Sequence, residues 1–390
     1  MSEAGRARSL GLPRMHKERG ELRDFLPDLV EAVSDLGVEI VVETGIGSGM
    51  GLTDADYMAV GPGVRPGSNE EAAAQDVVLV LRSPDDRYDL LKPGATLISM
   101  LHYPTRPRRV ARLERLGLEA ISIDSIADDR GRRLVVNSRA VAWNGLEAAF
   151  EVLEDHWPRL RDPERGPVRV TVLGAGAIGK HAVEAATKYG DPTRAERLAG
   201  LRGVEVVTLG RNMTADADYL RNRLAVTDVL VDTTQRSDPS LPVITNDQLA
   251  WLPEHAVVCD CNVDPYLIEA DPPTVRSIEG IPQGDLDGWK LAPDDPAWEE
   301  VPDEIPHAIR RWVVSCYSWP GVHPQDCMQL YGDQLAPLLR TLFQRGGVGG
   351  LRRAGEFHER ALWRASLRTW LEAHPDVEHA GPERHGLRRD

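Results

Sequence analysis

The sequence predicts an α/β protein with two Rossmann-like domains, each built on a parallel sheet. Three observations carry that prediction. Short, continuously apolar runs alternate with amphipathic stretches through most of the chain, and continuous apolarity marks strands buried on both faces. The segment 168–190, VRVTVLGAGAIGKHAVEAATKYG, passes from such a run through a glycine-rich turn into a helix-like stretch. A chain of 390 residues also suffices for two or three domains, at roughly 100–200 residues each.

In the first block, strands are expected at 38–43 (VEIVVE), 77–81 (VVLVL) and 96–101 (TLISML), with amphipathic helices at 28–36 and 108–116. The second block starts with the strand at 168–173 and continues at 204–209 (VEVVTL), 229–232 (VLVD) and 256–260 (AVVCD). Residues 140–157 read as one helix joining the blocks. Beyond Asp264 the chain turns Pro- and Asp-rich, which predicts a loop of about 40 residues. Helical patterning returns at 328–345 and 357–373, and the Arg-, Glu-, His- and Gly-rich end reads as a loosely held tail.

Lys and Arg number 46 against 61 Asp and Glu, a formal charge of −15. That balance argues against nucleic acid or an anionic membrane surface as the main partner. No run approaches the roughly 18 apolar residues of a membrane span, and the first residues, MSEAGRARSLGLPRMHKERG, lack a secretory apolar core. Four cysteines make no disulfide framework. A cytoplasmic protein is expected.

Gly174, Gly176 and Gly179 form G-x-G-x-x-G between a strand and a helix, the context in which the motif binds a dinucleotide. The first glycine permits the turn, the second lets backbone approach a pyrophosphate, and the third lets helix pack on strand. Ala177 and Ile178 begin the helix whose N-terminus would receive the phosphates. After the next strand, where an acid would bind the ribose 2′-hydroxyl, stand Gly210, Arg211 and Asn212. Arg211 and Asn212 therefore favour NADP, with NAD the alternative. Gly179 and Gly210 are 31 positions apart, more than the usual ~20, so the insertion at 190–203 could displace Arg211. Cys259 and Cys261 would share one face of a strand. Without the C-x₂-C pairs of common zinc sites they read as buried thiols, and no metal is expected.

From about Gly11 to Arg345 the chain resembles the alanine dehydrogenase family, with its relatives N-(carboxyethyl)ornithine synthase and saccharopine dehydrogenase. The matching segments are GLPRMHKERGELRDFLPDLV, VVETGIGSGMGLTDADY, LKPGATLISMLHYP, HAVVCDCNVDP, SWPGVHP and VVNSRAVAWNGLEAAFEV. The resemblance implies a first domain split in sequence around the dinucleotide-binding domain. It sets 1–150 with 306–390 as substrate domain and 151–305 as Rossmann domain. It also implies a homo-oligomer, with His102 at the position of the catalytic histidine and Asp264 at that of the catalytic aspartate. Arg82 stands where the family has its carboxylate-binding lysine. The family's N-terminal arginine aligns with Leu22, one residue before Arg23, and the region around Ser138 and Arg139 departs from the family pattern.

On this resemblance the expected chemistry is reductive amination of a 2-oxo acid by an amine or ammonia. Arg82, with Arg23, would clamp the carboxylate. His102 would carry a proton to the carbonyl oxygen, as a side chain that exchanges protons near neutral pH. Asp264 would stabilise the cationic nitrogen. Coupling to ammonia and opine-type coupling to a second amino acid both remain open. So do a transhydrogenase-like nucleotide-binding module and a lyase or cyclodeaminase with tightly held nucleotide. The acids Asp285, Asp287, Asp294, Asp295, Glu299, Glu300, Asp303 and Glu304 either select a cationic amine or form a solvated loop.

Overall fold

The computed structural model describes residues 7–15, 19–270 and 272–375; the expected C-terminal tail lies mostly outside them. The chain divides into two compact units, 1–136 with 323–390, and 137–322.

In chain order the first unit opens with β1 (Ser9–Leu12), α1 (Pro27–Ser34), β2 (Glu39–Glu43), α2 (Asp54–Met58), β3 (Val64–Gly67) and α3 (Asn69–Ala73). It continues with β4 (Val77–Arg82), β5 (Thr96–Met100), α4 (Pro107–Arg115) and β6 (Glu119–Ser122). These strands form one six-stranded parallel sheet in the order β3-β2-β1-β4-β5-β6. The order reverses between β1 and β4, and such a switch point leaves a crevice beyond the strands' carboxyl ends. Pro27 starts α1 at a position where its missing N–H costs nothing.

The second unit begins with α5 (Ser138–His156), β7 (Val168–Leu173), α6 (Ala177–Ala186), α7 (Pro192–Arg197) and β8 (Val204–Leu209). There follow α8 (Arg211–Thr214), α9 (Ala217–Leu224), β9 (Val229–Asp232), α10 (Asn246–Leu249) and β10 (Val257–Asp260). The edge strands β11 (Lys290–Leu291) and β12 (Trp312–Ser315) complete a sheet in the order β11-β12-β10-β9-β7-β8. Only β11 is antiparallel. The chain then returns to the first unit through α11 (Pro324–Gln344), α12 (Phe357–Ala365) and α13 (Leu367–Ala373).

Two expectations are corrected, and one is refined. The junctions at 150/151 and 305/306 give way to 136/137 and 322/323. The reason is burial: Ala142, Leu146, Ala149, Phe150 and Leu153 of α5 belong to the core formed with β7, β9 and β10, and β12 pairs with β10. The single helix expected at 357–373 is two. Ser366 caps α13 by accepting from Thr369 N, the role in which serine oxygen outcompetes helix continuation. The long loop after Asp264 is irregular but anchored, because Trp298 is fully buried and its Nε1 donates to Ala292 O at 2.7 Å.

Cys259 and Cys261 are buried with their sulfurs 3.7 Å apart. Both face α5 at Gly145, where a Cβ would stand 3.1 and 3.0 Å from the two sulfurs. Glycine there eases the packing: a Cβ would meet both sulfurs more tightly than nearly all side-chain contacts, so helix or thiols would have to give by a few tenths of an ångström.

Candidate functional site

In the second unit the glycine loop has the form its spacing predicts. Gly174 sits at φ +92, a conformation that side chains disfavour. A Cβ on Gly179 would lie 2.3 Å from Gly174 O, so α6 starts hard against its own loop. Gly176 is exposed, with nothing within 4 Å of the place a Cβ would occupy. It is also the N-cap of α6 and offers no side-chain cap, so the N–H groups opening the helix at Ala177, Ile178 and Gly179 have no side-chain acceptor at the cap, the arrangement in which a helix N-terminus takes a phosphate. The residues thus suit a dinucleotide. Thr233, at the end of β9, braces the loop by donating to Leu173 O at 2.8 Å.

The long spacing before Arg211 does not displace it. The inserted segment folds as α7 ahead of β8, and β8 runs in register with β7 from Val168↔Val204 to Leu173↔Leu209. Gly174 N donates to Leu209 O at 3.0 Å. Arg211 and Asn212 therefore follow directly beside the glycine loop, exposed in the first turn of α8.

Asp264 lies beyond β10. Its Oδ2 is 2.5 Å from Arg236 Nη2 and accepts from Asn262 Nδ2 at 3.0 Å. Arg236 is nearly buried and also donates to the carbonyls of Pro239, Leu241 and Val275, so its charge is fixed in place. The turn leading to Asp264 is tight: Asp260 Oδ1 accepts from the backbone of Asn262 and Val263, and Val263 takes φ +56. A β-branched residue in that region is strained. Behind it, Asp260 pairs with Arg276 at 2.5 Å. The neighbouring carboxyl of Asp232 is pushed up to about 6, first by burial and then by the charge of Asp260, against hydroxyl and backbone bonds from Ser277 and Thr234.

In the first unit His102 follows β5 at φ +51. Its Nδ1 is 3.3 Å from Asp124 Oδ2, its backbone N donates to Asp124 Oδ1 at 3.2 Å, and Ser122 Oγ donates to the same oxygen at 2.8 Å. Burial works against ionisation of Asp124, but the hydrogen bond and charge of His102, then Ser122, hold its carboxyl well below the usual carboxylate range. Arg133 adds a cation 3.6 Å from Oδ2. The imidazole is half exposed, and with Nδ1 on Asp124 its Nε2 is the nitrogen left for a reactant.

Arg82 ends β4, the strand beside β5, and lines a pocket with Arg14, Met15, Asn69, Val78, Val80, Arg87 and Leu91. Arg23 behaves differently from the expected clamp. Its guanidinium is only 2% exposed and meets Glu21 in bidentate fashion, Nε to Oε1 at 2.8 Å and Nη2 to Oε2 at 2.5 Å. Burial opposes the charge on Glu21, yet Arg23, with a smaller contribution from Arg82, keeps its carboxyl low. Arg23 therefore presents its fork to Glu21, and of the two expected clamp residues it is Arg82 that lines the pocket.

The structure brings His102 and Arg82 together at adjacent strand ends of one unit, and places Asp264, the glycine loop, Arg211 and Asn212 at strand ends of the other. Asp124, Glu21, Arg236 and Thr233 carry no signal in the sequence that marks them; only the pairing of parallel strands makes Asp124 a neighbour of His102. In the acidic loop, Asp285 and Asp295 accept from the backbone of their own turns, and Asp287, Asp294, Glu299, Glu300, Asp303 and Glu304 are exposed.

Fold and loop geometry define a two-unit α/β chain whose second unit is a Rossmann-like domain. Residues 17–140 match the family described as alanine dehydrogenase/PNT, N-terminal domain. The chain is 22% identical to alanine dehydrogenase of Bacillus subtilis (strain 168) over 361 residues, covering 88% of this chain and 87% of that protein. It is 28% identical to NAD(P) transhydrogenase subunit alpha of Cereibacter sphaeroides over 272 residues, 67% of this chain and 50% of that one. The fold is that of a solved L-alanine dehydrogenase, at TM-score 0.70 and 19% identity, with 95% of this chain and 99% of that one covered. These matches make the chain distantly similar to alanine dehydrogenase-like proteins, with the family model confined to the first unit and the start of the second. Among the described residues no helix is long and apolar enough to cross a membrane.

Proposed function

We propose that this protein is a nicotinamide-dependent oxidoreductase acting at the C–N bond of a 2-amino acid, forming it by reductive amination of a 2-oxo acid. The observation that carries the reading is the Asp124-held His102 beside Arg82 at the carboxyl ends of neighbouring strands. Arg82 binds the carboxylate of the oxo acid. His102 Nε2 gives a proton to the carbonyl oxygen as the amine adds, takes one back from the ammonium nitrogen of the adduct, and gives it to the hydroxyl as water leaves. Asp124 keeps the proton on Nδ1 and stabilises the imidazolium between these steps. The carboxylate of Asp264, oriented by Arg236 and Asn262, stabilises the cationic imine nitrogen.

Gly174, Gly176, Ala177, Ile178 and Gly179 hold the diphosphate of the cofactor, which supplies the hydride. Arg211 and Asn212, beside the loop and with no acid in that turn, favour the 2′-phosphate of NADP over NAD. The likeness to a transhydrogenase subunit supports a second reading, a nucleotide-binding module without amination chemistry.

The deciding experiment follows oxidation of NADPH and NADH by the purified chain with pyruvate, 2-oxoglutarate or glyoxylate, each with ammonia, alanine, ornithine or lysine. Oxidation that needs both an oxo acid and an amine, prefers NADPH, and falls by about 10²-fold or more in His102→Ala is the expected result. Whether ammonia or an amino acid serves separates simple from opine-type amination. Silence throughout, with NADPH still bound, favours the binding module.

A further inference from the structure

The pocket beside Arg82 carries more cationic surface than one carboxylate needs. It lies at the switch point of the first sheet, bounded by the segments that follow β1 and β4, and encloses about 530 Å³ including its open mouth. Its floor is apolar, with Val78 and Val80 of β4 and Leu91. Its rim holds three guanidinium groups, Arg14, Arg82 and Arg87, and one carboxylate, Asp86; behind the rim Arg14 Nε also pairs with Asp24 Oδ2 at 3.6 Å.

Arg87 is held in place by a relay. Its Nη1 donates to Asn69 Oδ1 at 3.0 Å, and Asn69 Nδ2 donates to Glu43 Oε2 at 2.6 Å. The same Glu43 oxygen accepts from Arg14 N at 2.8 Å, so one buried carboxylate positions Asn69 and the backbone of Arg14 together. With one amide face on Glu43, Asn69 has only its oxygen to offer, and that oxygen selects an N–H donor at position 87. The bond to Asn69 uses one of the five N–H groups of Arg87. The contact of Arg87 with Asp86 is 3.7 Å long and that carboxylate is 70% exposed, a pairing that water and salt screen.

We infer that this pocket receives the side chain of the oxo acid, and that the acid is dicarboxylic. Its methylenes lie on Val78, Val80 and Leu91, and its terminal carboxylate is bound by Arg87 with the support of Arg14. The inference rests on the reading of Arg82 as clamp for the first carboxylate. A methyl side chain brings no partner for Arg87, whose carboxylate contact is the screened pair with Asp86. A short chain ending in an anion supplies one, because a guanidinium fork pairs with carboxylate through two charge-assisted hydrogen bonds.

Two measurements on the full chain test this. Calorimetric titration compares glutarate, which has no oxo group and cannot react, with pentanoate. Steady-state assays with NADPH and ammonia compare 2-oxoglutarate with 2-oxopentanoate. Expected results are binding of glutarate but not pentanoate, and a kcat/KM preference of tenfold or more for the dicarboxylic acid. Arg87→Gln cuts that preference at least tenfold, Asn69→Ala cuts it in part by releasing Arg87, and Arg87→Lys keeps part of it. Should Arg87→Gln fold poorly, Asn69→Ala decides the same question. Equal turnover of both acids by the wild type overturns the subsite and leaves amination standing. So does an unchanged preference in an Arg87→Gln protein that melts like the wild type. Glutarate binding that Arg87→Gln abolishes, with no oxo acid turned over, keeps the subsite and removes the amination reading.

Discussion

At the scale of single residues, the pairing of His102 with Asp124 decides which imidazole nitrogen faces a reactant. An acceptor on Nδ1 leaves Nε2 outward, and a carboxylate, unlike an amide, also favours the protonated ring. Asp124→Asn is expected to lower kcat by about 10²-fold, the lower end of what general acid–base catalysis contributes. Asp124→Glu is expected to recover much of the loss, with kcat compared at a temperature where circular dichroism shows both variants folded. Equal activity of wild type and Asp124→Asn, in an assay where His102→Ala is dead, would remove Asp124 from the mechanism. His102 and Asp264 were legible as candidates because the segments that carry them resemble those of the alanine dehydrogenase family, and each stands just beyond an apolar run. Their partners were not legible: Asp124 is 22 positions from His102 and Arg236 is 28 from Asp264, and only strand order makes them neighbours. Arg23 shows the converse, a correct residue type whose charge is absorbed by Glu21 two positions away.

At the scale of elements, the glycine loop was the most legible feature. Gly174 and Gly179 have local steric reasons that need little beyond the strand–turn–helix context, and Gly176 leaves the outer side of the loop open. The insertion before β8 was harder to judge, since spacing counts residues and not register. The structure resolves it by folding the extra residues as α7 and leaving the β7–β8 pairing intact. Helix α5 illustrates a different limit. Its helicity was evident, but its allegiance was not, because an apolar face does not say which sheet it covers. Its contact at Gly145 is correspondingly demanding. Gly145→Val, which drives a branched side chain toward the sulfurs of Cys259 and Cys261 and toward Trp319, is expected to destabilise the second unit by about 1–3 kcal/mol. The urea midpoint of far-UV circular dichroism measures it; no shift would mean that α5 does not pack this closely.

At the scale of the whole molecule, buried carboxyls make stability depend on pH in a defined direction. Asp24 and Asp232 are both pushed up to about 6, in each case chiefly by burial. A carboxyl with a raised folded pKa binds more protons in the native state than in the unfolded one between its ordinary value and about 6. Stability therefore falls as pH rises through that window. Asparagine at 232 cannot ionise, so the melting temperature of Asp232→Asn relative to wild type is expected to climb between pH 4 and 7. The corresponding free energy is on the order of 1–3 kcal/mol, from about 1.4 kcal/mol per pH unit. A difference that stays flat across the range would mean that Asp232 ionises as an ordinary carboxylate. Asp124, held low, acts in the opposite sense: its contribution is present above the usual carboxylate range and is lost as pH falls.

The sequence by itself determined what local rules can specify: strands from continuous apolar runs, the phosphate-binding turn from three glycines, and thiols on one strand face from alternation. Each depends on residues close together in the chain, where geometry is set by backbone sterics and side-chain period. Tertiary structure alone decided the unit boundaries, the partners of His102 and Asp264, the capture of Arg23 by Glu21, and the Glu43–Asn69–Arg87 relay. Most of these join residues that are distant in sequence and meet because parallel strands bring their carboxyl ends side by side. The capture of Arg23 depends instead on how a local turn is buried. No periodicity along the chain encodes either result; both arise from long-range packing of the cores and from the cost of leaving buried charge unpaired.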